Sequence, residues 1–405
     1  MTLTLDQARA LDAADPLRFA RARFALPDGL IYLDGNSLGA LPVASAQRVA
    51  RTIQDEWGRD LIASWNKHAW IDQSARLAAM LAPIVGAGAD EISVGDSTSI
   101  NLAKLLGAAL KARPGRRVIL SETGNFPTDL YIAAAVPGAE LRTVAAADIP
   151  AALTDEVAVL MLTHVDYRSA AVHDMAAVTR AAHDVGALAL WDLSHSAGAI
   201  ALDLAASGAD LAVGCGYKYL NGGPGAPAFL FVARALQEQL DNPLPGWLGH
   251  ADPFAFEPDY RPAPGIARFT SGTPSIIAMA ALEAGLATYE GVAMAGLAAK
   301  SRRLSELFRA EIEAHCPELV LASPTDPMRR GSHLVFAHAN AYALMQALIS
   351  RGVVGDYREP NLVRFGFTPL YNGFEDMVRA ATIIAEVLAT REWDDARFRE
   401  RAKVT

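Results

Sequence analysis

Between residues 118 and 232, short and almost continuously apolar runs alternate with Ala-rich stretches of helical period. The runs are Val118 to Leu120, Val157 to Val165 (VAVLMLTHV), Ala187 to Leu193 (ALALWDL), Ala209 to Cys215 (ADLAVGC) and Ala228 to Val232 (AFLFV). A strand that reads apolar at every position is covered on both faces. The pattern therefore predicts an α/β unit with a mainly parallel sheet flanked by helices, one of them over 175–185. This unit is expected to span residues 65–295.

The pattern changes near residue 276. Periodic apolar positions such as Ile277, Ala280, Leu282 and Leu286 predict long helices over 276–315. A strand is expected at Ser332 to Ala337, a helix at Tyr342 to Ser350, and strands around Val353 and from Leu362 to Phe367. A final helix is expected from Phe374 to Leu388. These elements describe a small α+β domain over 296–405, with residues 1–64 packing against it.

Composition narrows the function classes. The chain has 405 residues, of which 52% are hydrophobic, enough for a large core. Its net charge of -9 and lack of long Lys/Arg runs argue against a nucleic-acid partner, which needs a basic face. Two cysteines, Cys215 and Cys316, make no disulfide framework, and a reducing cytoplasm is expected. The N-terminus lacks a basic segment followed by an apolar one, so no signal peptide is read. Apolar runs fall short of the roughly 20 residues that span a bilayer, so no membrane association is expected.

The candidate chemistry centres on Lys218, in Gly214-Cys215-Gly216-Tyr217-Lys218-Tyr219-Leu220-Asn221-Gly222-Gly223. A buried strand enters and a Gly-rich turn leaves. A buried amine is costly unless neutralised, and a Schiff base to pyridoxal phosphate neutralises it while using it chemically. A lysine reaching solvent from a strand end would read the same way. Asp192 ends another buried strand, where it could pair with a protonated pyridine nitrogen or simply cap the next turn. His195 lies three residues beyond it and could stack on the ring. Asp192, His195 and then Lys218 in this order make the cofactor reading much stronger than any one residue does. Asp96 to Leu102 (DSTSINL) starts a helix with small hydroxyl side chains, which suits a phosphate or a plain N-cap. Thr163 ends a strand at the same carboxyl edge. No nicotinamide fingerprint, P-loop, zinc spacing or nucleophile elbow occurs, and no metal is expected.

Further motifs carry a resemblance. Residues 32–39 (YLDGNSLG), 125–129 (NFPTD), 191–195 (WDLSH), 217–221 (YKYLN), 245–250 (PGWLGH), 269–274 (FTSGTP) and 364–372 (RFGFTPLYN) together resemble kynureninase, nearly end to end. That family has the aspartate-aminotransferase-like fold (fold type I), binds pyridoxal phosphate and acts as homodimers. It hydrolyses L-kynurenine to anthranilate and L-alanine in tryptophan catabolism.

The resemblance implies roles. Lys218 would be the Schiff-base lysine and take the Cα proton once freed. Asp192 would pair with the ring nitrogen and His195 would lie near the ring. Thr98, Ser99 and Tyr217 would hold the phosphate. Phe126 would stack on the ring, and Asp129 and Thr163 would contact the cofactor. Trp247 and Thr273 would reach the phosphate from the neighbouring subunit. Arg364 would bind the substrate carboxylate, as an apolar strand carrying one guanidinium also suggests. Trp65 would contact the substrate's aryl group, with packing as the alternative for both Trp65 and Trp247. Tyr217 is a candidate proton donor after Cβ–Cγ cleavage. Arg168-Ser169-Ala170 departs from the family's Lys-Thr-Gly. Gly272-Thr273-Pro274 replaces the Asn-Pro-Pro of animal enzymes, which implies a preference for kynurenine over 3-hydroxykynurenine. The rival activities are a cysteine desulfurase, which needs a mobile cysteine facing the substrate, and an aminotransferase.

Overall fold

The computed structural model describes residues 2–401. Its larger sheet has seven strands in the spatial order Ile92–Val94, Phe229–Val232, Leu211–Gly214, Leu188–Asp192, Val157–Thr163, Val118–Glu122, Glu140–Val144. Phe229–Val232 runs antiparallel to both its neighbours, and every other pair in this sheet is parallel. The near-continuous apolar runs have the cause expected of them. Leu120, Leu160 and Ala189 face one buried cluster, while Ile119, Met161 and Leu190 face another on the opposite side. The fold is thus the mainly parallel α/β arrangement that the spacing predicts.

Five strands extend beyond the sequence expectation, of which Ile31–Tyr32 and Val320–Leu321 have two residues each. Ile92–Val94 and Asp356–Arg358 have three residues each. Glu140–Val144 is a partly exposed edge strand whose polar residues break the apolar run.

A second sheet has four antiparallel strands in the order Asp356–Arg358, Leu362–Gly366, His333–Ala337, Val320–Leu321. Its two faces differ in chemistry because side chains alternate along each strand. Leu334, Phe336, Val363 and Phe365 join the core beneath helices Met294–His315 and Phe374–Ala389. The other face carries His333, Asp356, Arg358 and Arg364. Asp356 and Arg364 are register partners, and Val335 stands opposite Arg364 on the next strand.

The N-terminal stretch serves both cores. Strand Ile31–Tyr32 pairs in parallel with Val353–Val354, and Ile31 and Leu33 enter the core of the second sheet. Leu17, Ala20, Phe24 and Ala40 pack into the core of the seven-stranded unit. Among the described residues, no helix is long and apolar enough to cross a membrane.

Candidate active site

Lys218 follows strand Leu211–Gly214 at the carboxyl edge of the large sheet. Its backbone is fixed on two sides. Asn221 N donates to Lys218 O at 2.9 Å, with Asn221 in the left-handed region at φ 57°. Gly39 N donates to Tyr217 O at 2.8 Å. A Cβ at Gly39 would lie 2.4 Å from Lys218 O, so only glycine lets residues 34–39 pass this close. The Lys218 amine lies 3.3 Å from His195 Nε2 and 5.9 Å from the ring centroids of Phe126 and Tyr217. His195 is buried, and burial first and the Lys218 charge second hold its imidazole well below its usual pKa. Burial pushes the Tyr217 phenol upward, so it stays protonated at neutral pH.

Two carboxyls lie at the same edge of the sheet, and the Lys218 charge acts on one of them, Asp129. Asp192 ends strand Leu188–Asp192 and is fixed by Ser194, whose N and Oγ donate to Oδ1 at 2.8 and 2.6 Å. Asp129 is in the first turn of helix Pro127–Ala135 and is also buried. Burial, and then the neighbouring Asp192, push its carboxyl well above the ordinary range. Asp129 Oδ2 has no hydrogen-bond partner. Thr163 sits directly opposite Asp192 in register and hydrogen-bonds the Asn125 side chain.

A buried pair of acids with one unpartnered oxygen fits a cationic ring nitrogen, and a nearby amine fits an aldehyde. The phosphate has a place as well. Strand Ile92–Val94 runs parallel to the central strands, so helix Thr98–Lys111 begins at the same carboxyl edge. Ser97 caps it, with Ile100 N donating to Ser97 Oγ at 3.3 Å. Thr98 and Ser99 are half-buried in its first turn. The residues present therefore fit pyridoxal phosphate.

Comparison with known proteins agrees. A profile described as the kynureninase C-terminal domain matches residues 297–384. Kynureninase from Pseudomonas fluorescens is 49% identical over 414 aligned positions, covering 99% of this chain and all of that protein. Kynureninase from Burkholderia mallei shows the same identity and coverage. The chain belongs to the kynureninase family. It is accordingly a pyridoxal-phosphate enzyme of the kynurenine-hydrolysing class.

Among solved structures, an apo cysteine desulfurase from Thermococcus onnurineus aligns with a TM-score of 0.78 at 18% identity, covering 92% of this chain and 98% of that one. A cysteine desulfurase from Escherichia coli aligns at 0.76 and 20%, with 92% and 98% covered. These likenesses show the shared fold type I architecture. Neither cysteine here suits desulfurase chemistry. Cys215 is buried against Ser194 O at 3.9 Å, and Cys316 lies in the second core with its thiol pushed up to about 12 by burial.

The remaining kynureninase-type positions are arranged less simply. Arg364 is buried, as its apolar strand implied, but its buried anion is internal. Nε donates to Asp356 Oδ1 at 2.7 Å and Nη2 to Asp356 Oδ2, closing a bidentate pair. Nη1 donates to Tyr167 O at 2.7 Å and Nη2 to Ser37 Oγ at 3.2 Å. Trp65 packs edge-on against Trp70 and Trp247, at 6.1 and 6.3 Å between centroids. Trp247 thus meets Trp65 of its own chain. Thr273 is exposed and lines a cavity of about 620 Å³ with Asp96, Asn101 and Lys104 from the helix start. Arg168 is exposed and donates to Glu359 O at 3.1 Å.

Several site residues escaped the sequence reading. Asp34, Ser37, Asp356 and Arg358 surround Arg364, and Tyr167 stacks edge-on against Phe126 at 5.2 Å. Asp34 and Ser37 lie inside the YLDGNSLG motif. The run DYREPNLVR, with charges on alternate positions of an otherwise apolar strand pair, was the available signal for Asp356 and Arg358.

Proposed function

We propose that this site hydrolyses the Cβ–Cγ bond of L-kynurenine, giving anthranilate and L-alanine, with Lys218 as cofactor anchor and proton carrier. The observation that carries the assignment to this site is the convergence of Lys218, His195, Asp192 and Asp129 at one sheet edge, 3.3 Å separating the first two side chains.

Bound pyridoxal phosphate supplies a cationic ring that accepts the electron pair left when the Cα–H bond breaks. Lys218 would attach the cofactor, and Thr98, Ser99 and Tyr217 would hold its phosphate. Asp192, kept in place by Ser194, would face the ring nitrogen, with Asp129 and Thr163 beside it. Phe126 and His195 would flank the ring, His195 as a neutral imidazole that adds no competing charge. Arg364 would direct the substrate carboxylate, and Trp65 its aryl group. Once displaced by the substrate's amine, Lys218 would take the Cα proton at Nζ. One water adds to the γ-carbonyl, the Cβ–Cγ bond breaks, and Tyr217 Oη would return a proton to the β-carbon.

The working unit proposed is a cytoplasmic homodimer, in which Trp247 and Thr273 reach the partner's phosphate site. The exposure of Trp57, Leu61, Ile62, Phe254 and Phe256 supports a further covering of this region. Gly272-Thr273 in place of Asn-Pro supports kynurenine over its 3-hydroxy form.

The test is direct. The purified protein with L-kynurenine should consume it and release anthranilate and alanine in equal amounts. Sulfide release from cysteine without anthranilate release from kynurenine would replace this reading with a desulfurase.

A further inference from the structure

Arg364 cannot grip a substrate carboxylate alone. A guanidinium has five N–H donors, and four of them are engaged: two by Asp356, one by Tyr167 O and one by Ser37 Oγ. One Nη1 hydrogen remains without an acceptor among the described residues, whereas a carboxylate presents two oxygens. Arg358 lies on the same face of the sheet. Its Nη2 is 2.8 Å from Asp356 Oδ2 and 3.5 Å from Ser37 Oγ, so the two arginines share one acid and one hydroxyl. Its Nη1 donates to Tyr357 O at 2.9 Å, which leaves Nε and one Nη1 hydrogen. The Arg358 side chain is 33% exposed and that of Arg364 only 1%, so Arg358 is the more accessible of the two.

The charges are also unbalanced. Burial opposes ionisation of Asp356, but Arg364 and then Arg358 outweigh it and hold this carboxyl below its usual range. Asp34 gives only partial compensation near neutral pH, because burial and the charge on Asp356 push its carboxyl up to about 7. Two guanidinium cations therefore face one full carboxylate, and one more anion would complete the set.

Resting on the reading of this site as a kynurenine site, we propose that Arg358 is a second, specificity-determining arginine, which with Arg364 clamps the α-carboxylate of the substrate. Asp356 and Ser37 then act as positioning residues that hold the two guanidiniums side by side. Like charges this close are tolerable only with shared acceptors between them.

The test compares Arg358→Met and Arg358→Lys holoenzymes with wild type. Asp356 keeps Arg364 as its counter-ion in both variants, so the fold has no orphaned acid. For Arg358→Met, KM for L-kynurenine should rise about ten- to a hundredfold, by more than kcat falls, as expected for a lost charge-assisted hydrogen bond. Inhibition by the decarboxylated analogue of kynurenine should stay within about twofold of wild type. Arg358→Lys should recover part of the loss. An unchanged KM would overturn the proposal, as would equal weakening of kynurenine and its decarboxylated analogue. If wild type itself released no anthranilate, the functional reading would fall instead. Binding of L-alanine against ethylamine, followed by the cofactor's absorbance, would then decide whether Arg358 selects a carboxylate.

Discussion

Nε of Arg364 donates to Oδ1 of Asp356 at 2.7 Å, and both side chains are buried on the polar face of the smaller sheet. This pair changes what an Arg364 variant should do. Arg364→Ala removes a substrate contact and also strips Asp356 of its main counter-ion. Breaking one side of a buried pair costs about 3–5 kcal/mol, less whatever Arg358 recovers. Thermal unfolding should show a clear loss of stability, and kinetics a raised KM for kynurenine with cofactor content retained. A variant that lost its cofactor at unchanged stability would place Arg364 at the cofactor instead.

The two acids at the same sheet edge as Lys218 should respond differently to amide substitution. Burial and Asp192 favour the neutral form of Asp129, which an asparagine imitates. Asp192, gripped by Ser194, is the one proposed to keep the ring nitrogen protonated. We expect Asp129→Asn to lower kcat by no more than about tenfold and Asp192→Asn by about a hundredfold or more. Steady-state kinetics with anthranilate detection would reveal the reverse order if the roles were exchanged.

Asp34 supplies a pH signature. Its folded pKa, about 7, lies above its ordinary value of 3.8, because burial and then Asp356 disfavour the charged form. Folding therefore binds this proton. Its stabilising contribution is complete below the unfolded pKa and is lost as pH rises through the folded one. Asp34→Asn should gain stability relative to wild type between about pH 4 and about pH 7, with the difference level above that. Denaturant melts across this range would refute the assignment if the difference stayed constant.

Much of this was written in the chain in readable form. Val157–Thr163 and Leu188–Asp192 are apolar at almost every position because both faces are covered, and each ends on a polar residue, Thr163 or Asp192, where the sheet stops. Lys218 stood out for the same reason, as a lone amine between a buried strand and a Gly-rich turn. The arginine cluster was less legible. Asp34 and Arg364 are 330 residues apart in the numbering, and meet because Gly366 N pairs with Leu33 O at 2.7 Å. No local pattern encodes such a pairing. Trp65 and Trp247 show the same limit: the sequence allows a ligand contact or packing for each, and their approach to one another depends on tertiary geometry.

Lys218 is proposed both to anchor the cofactor and to carry the Cα proton. The decisive measurement is anthranilate release from L-kynurenine by Lys218→Ala, supplied with pyridoxal phosphate, beside wild type. No turnover and loss of the cofactor's visible absorbance band are expected in the variant, with an unchanged fold by circular dichroism. Release of anthranilate by the variant at the wild-type rate would contradict that role of Lys218.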